Sequence, residues 1–238
     1  MVAHSLPVSL EERDITLSDT MEELESFFAS LLRRGPIMLI AGELAYLNQI
    51  LVSTIMTIFI KKYKKSKIIH FYCGGPISLS LRLIKKLRNK AITFHVTNLD
   101  EQYYAINLLS LLLSPSYYRG HKILVIFDDF ISHYIVSPIS RHKTAGGALL
   151  AEQLATLRTL SRQATVHVVL TSYLLRDKKP LLWKVFSKYI DALVTIHEND
   201  GLVKITFLDK DLNAIESYDI ELDELVESLE LENAKLSF

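Results

Sequence analysis

The sequence is poor in cysteine. Among its 238 residues there is a single one, Cys73. An intramolecular disulfide is therefore impossible, and a zinc site built from several cysteines is excluded. The first residues, MVAHSLPVSLEERD, show no basic-then-apolar signal pattern. Both features favour an intracellular, cytoplasmic location.

The sequence also lacks an excess of charge of either sign. Lysine and arginine number 27, aspartate and glutamate also number 27, and the formal net charge is zero. Coating of DNA by the whole surface needs surplus cations that displace condensed counterions, so this composition argues against it. A local basic patch remains open. Hydrophobic residues make up 49% and charged residues 23%, which is typical of a globular chain with a sizeable core.

A long uninterrupted apolar run is missing as well. Residues 37–60 are mostly apolar, but Gly42 and Glu43 interrupt the run, and Asn48 and Gln49 lie at its centre. Neither apolar piece reaches the roughly 20 residues that a membrane-spanning helix needs. The segment therefore predicts a strand, a turn and a buried helix, with no membrane partner.

Continuous apolar segments alternate with helical patterns along the chain. The predicted strands are 37–41, 67–72, 91–97, 122–130 and 166–173, and the predicted helices are 20–33, 44–62, 77–89, 99–113, 148–163 and 181–190. This alternation predicts an α/β fold, a doubly wound and mainly parallel sheet flanked by helices. Residues 192–199 and 202–209 predict a C-terminal antiparallel hairpin around Asp200-Gly201, with 217–222 as a candidate further strand.

The domain organisation predicted from these patterns is simple. Residues 1–18 form an N-terminal arm, 19–222 a single core domain and 223–238 an acidic C-terminal tail with helical periodicity. Between the strand 122–130 and the next helix, residues 131–146 are predicted to form a loop.

The loop after the first strand is the first place to seek a ligand, because ligands of such sheets lie at the carboxyl ends of strands. Residues 42–49 read Gly-Glu-Leu-Ala-Tyr-Leu-Asn-Gln. A phosphate-binding loop would read G-x-x-x-x-G-K-T/S. Here Leu47 stands at the last glycine, Asn48 at the lysine and Gln49 at the hydroxyl residue.

Four further segments follow this loop along the chain. They are KIIHFYCGG, ITFHVTNLDEQYYAINLL, KILVIFDDF and ALLAEQLATLRTLSRQATVHVVLTSYL. Together with the loop, over about residues 15–210, they resemble the RecA-like core of the RecA/RadA-type recombinases, as in a core-only archaeal RadA paralogue with a degenerate Walker A loop. Related ATPases of the KaiC-like and archaellum-motor types share the order of elements.

The resemblance implies that the ATPase chemistry has been lost. Hydrolysis in this fold needs a phosphate lysine, a hydroxyl and an aspartate for Mg²⁺, and a carboxylate that orients water. Asn48 is uncharged, Gln49 has no compact hydroxyl, and Gly74 stands where the family has its catalytic glutamate. Asp128 and Asp129 remain at the Walker B-like position. We therefore expect no enzyme activity, no cofactor and no metal, with weak ATP binding left open.

Two structural alternatives accompany these assignments. Carboxylates at a strand end that face a helix N-terminus are favourable without any metal. Basic residues in loops are commonly just solvated. The resemblance nevertheless makes five of them DNA-binding candidates, in the two loops that follow the predicted strands 122–130 and 166–173: Arg141, Lys143, Arg176, Lys178 and Lys179.

The function implied by the resemblance is that of a non-catalytic accessory factor in homologous recombination and DNA repair. Such a protein would bind a RadA-type recombinase, another paralogue or a second copy of itself, with single-stranded DNA as a further ligand. The alternative is a pseudo-ATPase regulatory subunit of a KaiC-like or archaellum-motor-type ATPase, without DNA binding. An active enzyme with an unusual loop is opposed by Asn48, Gln49 and Gly74.

Overall fold

The structure is a computed structural model. It describes residues 17–74, 87, 90–113, 120–138, 143–163, 165–175 and 179–235. The strands are β1 (Ile37–Gly42), β2 (Ser66–Tyr72), β3 (Ala91–His95), β4 (Lys122–Asp128), β5 (Val166–Tyr173), β6 (Ala192–Asn199), β7 (Leu202–Leu208) and β8 (Ala214–Glu221). The helices are α1 (Leu17–Arg34), α2 (Ala45–Lys62), α3 (Leu99–Leu112), α4 (Ser132–Val136), α5 (Lys143–Ser161), α6 (Trp183–Phe186) and α7 (Leu222–Lys235).

All eight strands lie in one sheet, in the order β3-β2-β4-β5-β1-β6-β7-β8. In this order, the strands from β3 across to β6, including β1 and β2, all run parallel to one another. β7 and β8 add antiparallel pairs at one edge. The central strand β1 is buried at every residue, which explains its continuous apolar sequence. The predicted α/β class, the mainly parallel sheet and the C-terminal hairpin are confirmed.

Helices cover both faces of the sheet. On one face, α1, α2 and α7 enclose a core that includes Phe28, Phe59 and Leu225. The opposite face packs a second core that includes Phe127 and Leu154. Because the strands between them are apolar on both sides, the two cores are separated only by the sheet.

The apolar run at residues 37–60 is explained by this layering. Every residue of α2 from Leu47 to Ile60 is buried, since the helix lies on the sheet and contacts α1 and α7. No helix in the part of the chain that the structure describes is long and apolar enough to cross a membrane. Up to Lys235, the segment predicted as an acidic tail belongs to α7, with Leu225 and Leu229 buried.

Several predicted boundaries are wrong. The strand predicted at 122–130 ends at Asp128, because Asp129 takes a left-handed backbone conformation with φ 62°. The loop predicted at 131–146 contains α4 and the first turn of α5. The helix predicted at 181–190 is reduced to the single turn α6, preceded by Leu182 with φ 61°. The predicted helix at 77–89 and the N-terminal arm fall almost wholly outside the described residues.

Candidate functional site at the carboxyl edge of the sheet

The connection between β1 and α2 is very short. β1 ends at Gly42 and α2 begins at Ala45, so Glu43 and Leu44 alone join them. Leu44 is the N-cap residue, in an extended conformation and without a side-chain capping bond. Residues 45 and 46, which lie in the part of a G-x-x-x-x-G-K-T/S loop that wraps the phosphate, are therefore already wound into the helix. The backbone nest that such a loop provides is not formed.

Asn48, at the position of the phosphate lysine, is used to hold the helix in place. Its side chain is 3% exposed, and its Nδ2 donates a 2.8 Å hydrogen bond to the backbone oxygen of Ser172 on β5. A Cβ on Gly42 would lie 2.7 Å from Asn48 Oδ1 and 2.9 Å from a methyl group of Ile196. Gly42 is therefore required here for the packing of Asn48, whatever its role in the family. Gln49, next along, is 9% exposed.

Glu43 and Tyr46 tie the start of α2 to β6. His197 Nδ1 lies 3.0 Å from Glu43 Oε1, at ion-pair and hydrogen-bond distance. The Tyr46 hydroxyl donates to Glu198 Oε2 over 3.3 Å. Partial burial and the neighbouring Glu198 carboxylate raise the pKa of Tyr46, so this phenol stays a neutral donor. These contacts hold the short connection closed against the sheet.

Asp128, the last residue of β4, is buried beside polar groups with which it makes few hydrogen bonds. It is 3% exposed, and its Oδ1 accepts a 3.2 Å hydrogen bond from Thr171 Oγ1. Its Oδ2 has no hydrogen-bond partner and lies 3.8 Å from Nε2 of His70, a fully buried side chain whose ring nitrogens also have none. The Asp128 carboxylate and the His70 imidazole therefore lie within ion-pair distance of each other inside the fold.

Asp129 turns away from Asp128. Its backbone N–H donates to Thr171 Oγ1 over 2.6 Å, and its Oδ2 accepts a 2.8 Å hydrogen bond from the Tyr173 hydroxyl. Burial raises the pKa of Asp129, and the pKa of Tyr173 is raised by burial and by that carboxylate. The two carboxylates therefore have different hydrogen-bond partners, although Thr171 Oγ1 contacts both residues.

Gly74, which the resemblance aligns with a catalytic glutamate of the recombinases, has φ +147°. That conformation favours glycine over any residue with a side chain. A Cβ built there would be 3.5 Å from Ser132 Oγ, an ordinary contact. The space would admit a side chain, but the backbone opposes one.

These residues do not fit a magnesium–nucleotide complex held in the manner of a phosphate-binding loop. The neutral amide of Asn48 already bonds Ser172, and α2 begins too early for a phosphate nest. Within the described ranges, no group of three or more His, Cys, Asp or Glu side chains is placed to hold a metal ion. What the arrangement does chemically is to fasten α2 to β5 and β6.

Within the described part of the chain, the DNA-binding candidates do not form a common surface. Arg141, Arg176 and Lys178 lie outside them, and Lys143 begins α5 with a side chain that is not described. Lys179 is exposed, and its backbone oxygen accepts a 2.8 Å hydrogen bond from Leu175 N–H. Contact with DNA stays a prediction.

The sequence reasoning missed an apolar groove between β3 and α3. Its cavity volume is about 530 Å³. Large side chains that line it are exposed: Phe94 is 43% exposed, Tyr104 71%, Leu108 52% and Leu111 73%. The sequence does contain an indication of this groove. Residues 108–113 are apolar at nearly every position, and a helix cannot bury all of them against one face.

Comparison with known proteins adds no assignment. The sequence matches no protein-family model, and a search of the curated proteins returns no match. The resemblance to RecA/RadA-type recombinases therefore depends on the residues and their order alone.

Proposed function

We propose that this protein is a non-catalytic, RecA-like accessory factor in homologous recombination, which acts by binding a RadA-type recombinase or a related paralogue. The observation that carries the proposal is the closed start of α2, where Asn48 bonds Ser172 O in place of a phosphate lysine. A chain with this element order and without a phosphate nest in the usual loop would act by binding partners at its surface.

The groove between β3 and α3 is the surface that best suits a partner. Exposed apolar patches rimmed by polar groups are typical of interaction sites. Among the described residues, β3 pairs with β2 alone, so its outer edge offers backbone N–H and C=O groups. An extended apolar segment of the partner can therefore add as a strand to β3 while its side chains enter the groove.

The test is direct binding to a purified RadA-type recombinase from the same source, followed by biolayer interferometry. Leu111→Asp and Tyr104→Ser change side chains that are 73% and 71% exposed, so the fold should tolerate both. We expect each to weaken binding about tenfold or more, since buried apolar anchors dominate interface energies. Ile215→Asp, at the opposite edge of the sheet and 49% exposed, is the matched control. Equal binding by all three variants and the wild type would reject the groove.

Single-stranded DNA is the further ligand that the proposal includes. Fluorescence anisotropy with labelled single- and double-stranded oligonucleotides over a salt series tests it. We expect salt-sensitive binding that ATP and Mg²⁺ do not change, because phosphate contacts release counterions and the β1–α2 connection is closed.

The alternative function is that of a pseudo-ATPase regulatory subunit of a KaiC-like or archaellum-motor-type ATPase. The formal net charge of zero favours it, since no surplus of cations marks the chain for DNA. Absence of DNA binding at low salt, combined with binding to such an ATPase and not to a recombinase, would select this alternative.

A further inference from the structure

One face of the β6–β7 hairpin carries polar side chains in matched pairs. Thr195 lies opposite Thr206, and His197 lies opposite Lys204. On β8, the Ser217 hydroxyl donates to Thr206 Oγ1 over 3.3 Å and continues the row of hydroxyls. Because side chains alternate along a strand, all of these groups project from the same face.

This face is the floor of a cavity of about 400 Å³. One wall is Lys179, from the segment after β5, and the other includes Leu208 and Leu212, where β7 turns into β8. The floor hydroxyl residues are well covered, with Thr195 3% and Thr206 8% exposed. A ligand group has to enter the cavity to reach them, so a smooth surface such as a duplex backbone would not touch them.

Along β7, the chemical groups that line the cavity change from apolar to hydroxyl to ammonium. Leu208 with Leu212 is apolar, Thr206 with Thr195 supplies hydroxyls, and Lys204 with Lys179 supplies ammonium groups. The span from Leu208 to Lys204 is four residues of strand, about 14 Å. An apolar body, hydroxyls and a terminal anion in that order over that length describe a compact phosphorylated molecule. The volume lies within the usual range of small-molecule sites, about 300–1,000 Å³.

Among the described residues, Asp219 and Glu43 place carboxylates beside Lys204 and His197, and neither residue lines the cavity. Asp219 Oδ1 is 4.0 Å from Lys204 Nζ, and both side chains are about half exposed. Glu43 Oε1 is 3.0 Å from His197 Nδ1. A half-exposed pair such as Lys204–Asp219 contributes little to stability. An anion inside the cavity can therefore compete with Asp219 for the lysine.

We propose that this cavity binds a phosphate monoester with an apolar body, of about the size of a nucleoside 5′-monophosphate. The phosphate would lie between Lys179 and Lys204, and Thr195 and Thr206 would donate hydrogen bonds to the ligand. The same chemical group occurs in a free small molecule and at the 5′-phosphorylated end of a single strand. The site does not depend on the recombinase binding proposed above, because none of its residues belongs to the β3–α3 groove; it shares only Lys179 with the DNA-binding candidates.

Isothermal titration calorimetry at low salt tests the site, with adenosine 5′-monophosphate, inorganic phosphate and adenosine as probes. Lys204→Met and Thr206→Val should each weaken binding of the monophosphate about tenfold, since each removes a hydrogen bond to a charged or polar group. Asp219→Asn should tighten binding, because it removes the competing carboxylate, and a misfolded variant cannot imitate that gain. Lys65→Met, an exposed lysine in the turn between α2 and β2, is the matched control.

Oligonucleotides with and without a 5′-phosphate distinguish the two sources. Tighter binding of the phosphorylated strand places a nucleic-acid end in the cavity, and binding of the monophosphate alone indicates a free small molecule. Either result supports the site. It is overturned if no probe binds, or if Lys204→Met, Thr206→Val and Asp219→Asn all bind as the wild type does.

Discussion

Replacing Asn48 by alanine should destabilise the protein measurably. The amide is 3% exposed and donates a 2.8 Å hydrogen bond to Ser172 O. Loss of a buried hydrogen bond costs about 1–3 kcal/mol. Alanine is a better helix former than asparagine, which returns roughly 0.6 kcal/mol. We therefore expect a net loss of about 0.4–2.4 kcal/mol in the free energy of unfolding.

Urea unfolding followed by far-ultraviolet circular dichroism measures this change. Asn107→Ala is the matched control, because Asn107 lies on the exposed side of α3 and the substitution brings only the gain in helix propensity. Asn48→Asp removes the donor at nearly constant shape and buries a carboxylate beside a carbonyl, so it should cost more than the alanine variant. If Asn48→Ala is as stable as Asn107→Ala, the amide does not fasten α2 to β5, and the reasoning is refuted.

Two further predictions concern stability. Burial, with the Lys122 and Lys62 charges, lowers the pKa of His167 to about 4; the unfolded chain then binds the extra proton below about pH 6.5, so stability should fall by up to roughly 3 kcal/mol from pH 6.5 to 4. Urea unfolding should show this loss reduced in His167→Phe, and an unchanged pH profile would contradict it. Gly42→Ala should destabilise by about 1–3 kcal/mol through its clash with Asn48. Gly147→Ala, with open space around its Cβ, should leave the melting temperature unchanged or raise it.

The strands could be predicted from the sequence because strands that are buried on both faces carry continuous apolar runs. β1 is apolar at every position and β5 carries the apolar run Val168-Val169-Leu170, and the structure places both in the middle of the sheet. The end of β4 could not be predicted in this way. Asp129 leaves the strand through a positive φ, and hydropathy carries no information on that conformation.

The sequence alone predicts which phosphate-binding residues the candidate site lacks. It does not predict the contacts that the residues in their place make. The missing lysine is evident from Asn48 itself. Its hydrogen bond to Ser172 is not, because the partner is 124 residues further along the chain and depends on the pairing of β1 with β5. The groove beside α3 was missed for a related reason. An apolar periodicity shows that a helix face is apolar, and it does not show whether another element covers that face.

The central claim is that the β1–α2 connection no longer serves ATP hydrolysis. The most direct test is the release of phosphate from Mg·ATP by the purified protein, with Asp128→Asn measured in parallel and with the recombinase partner absent and present. With the partner absent, we predict phosphate release at the level of buffer alone for both proteins. With the partner present, we predict equal release whichever of the two proteins is added, and partner binding that ATP does not change. Release above that level that Asp128→Asn abolishes would contradict the account, because it would show a working nucleotide site at the end of β4.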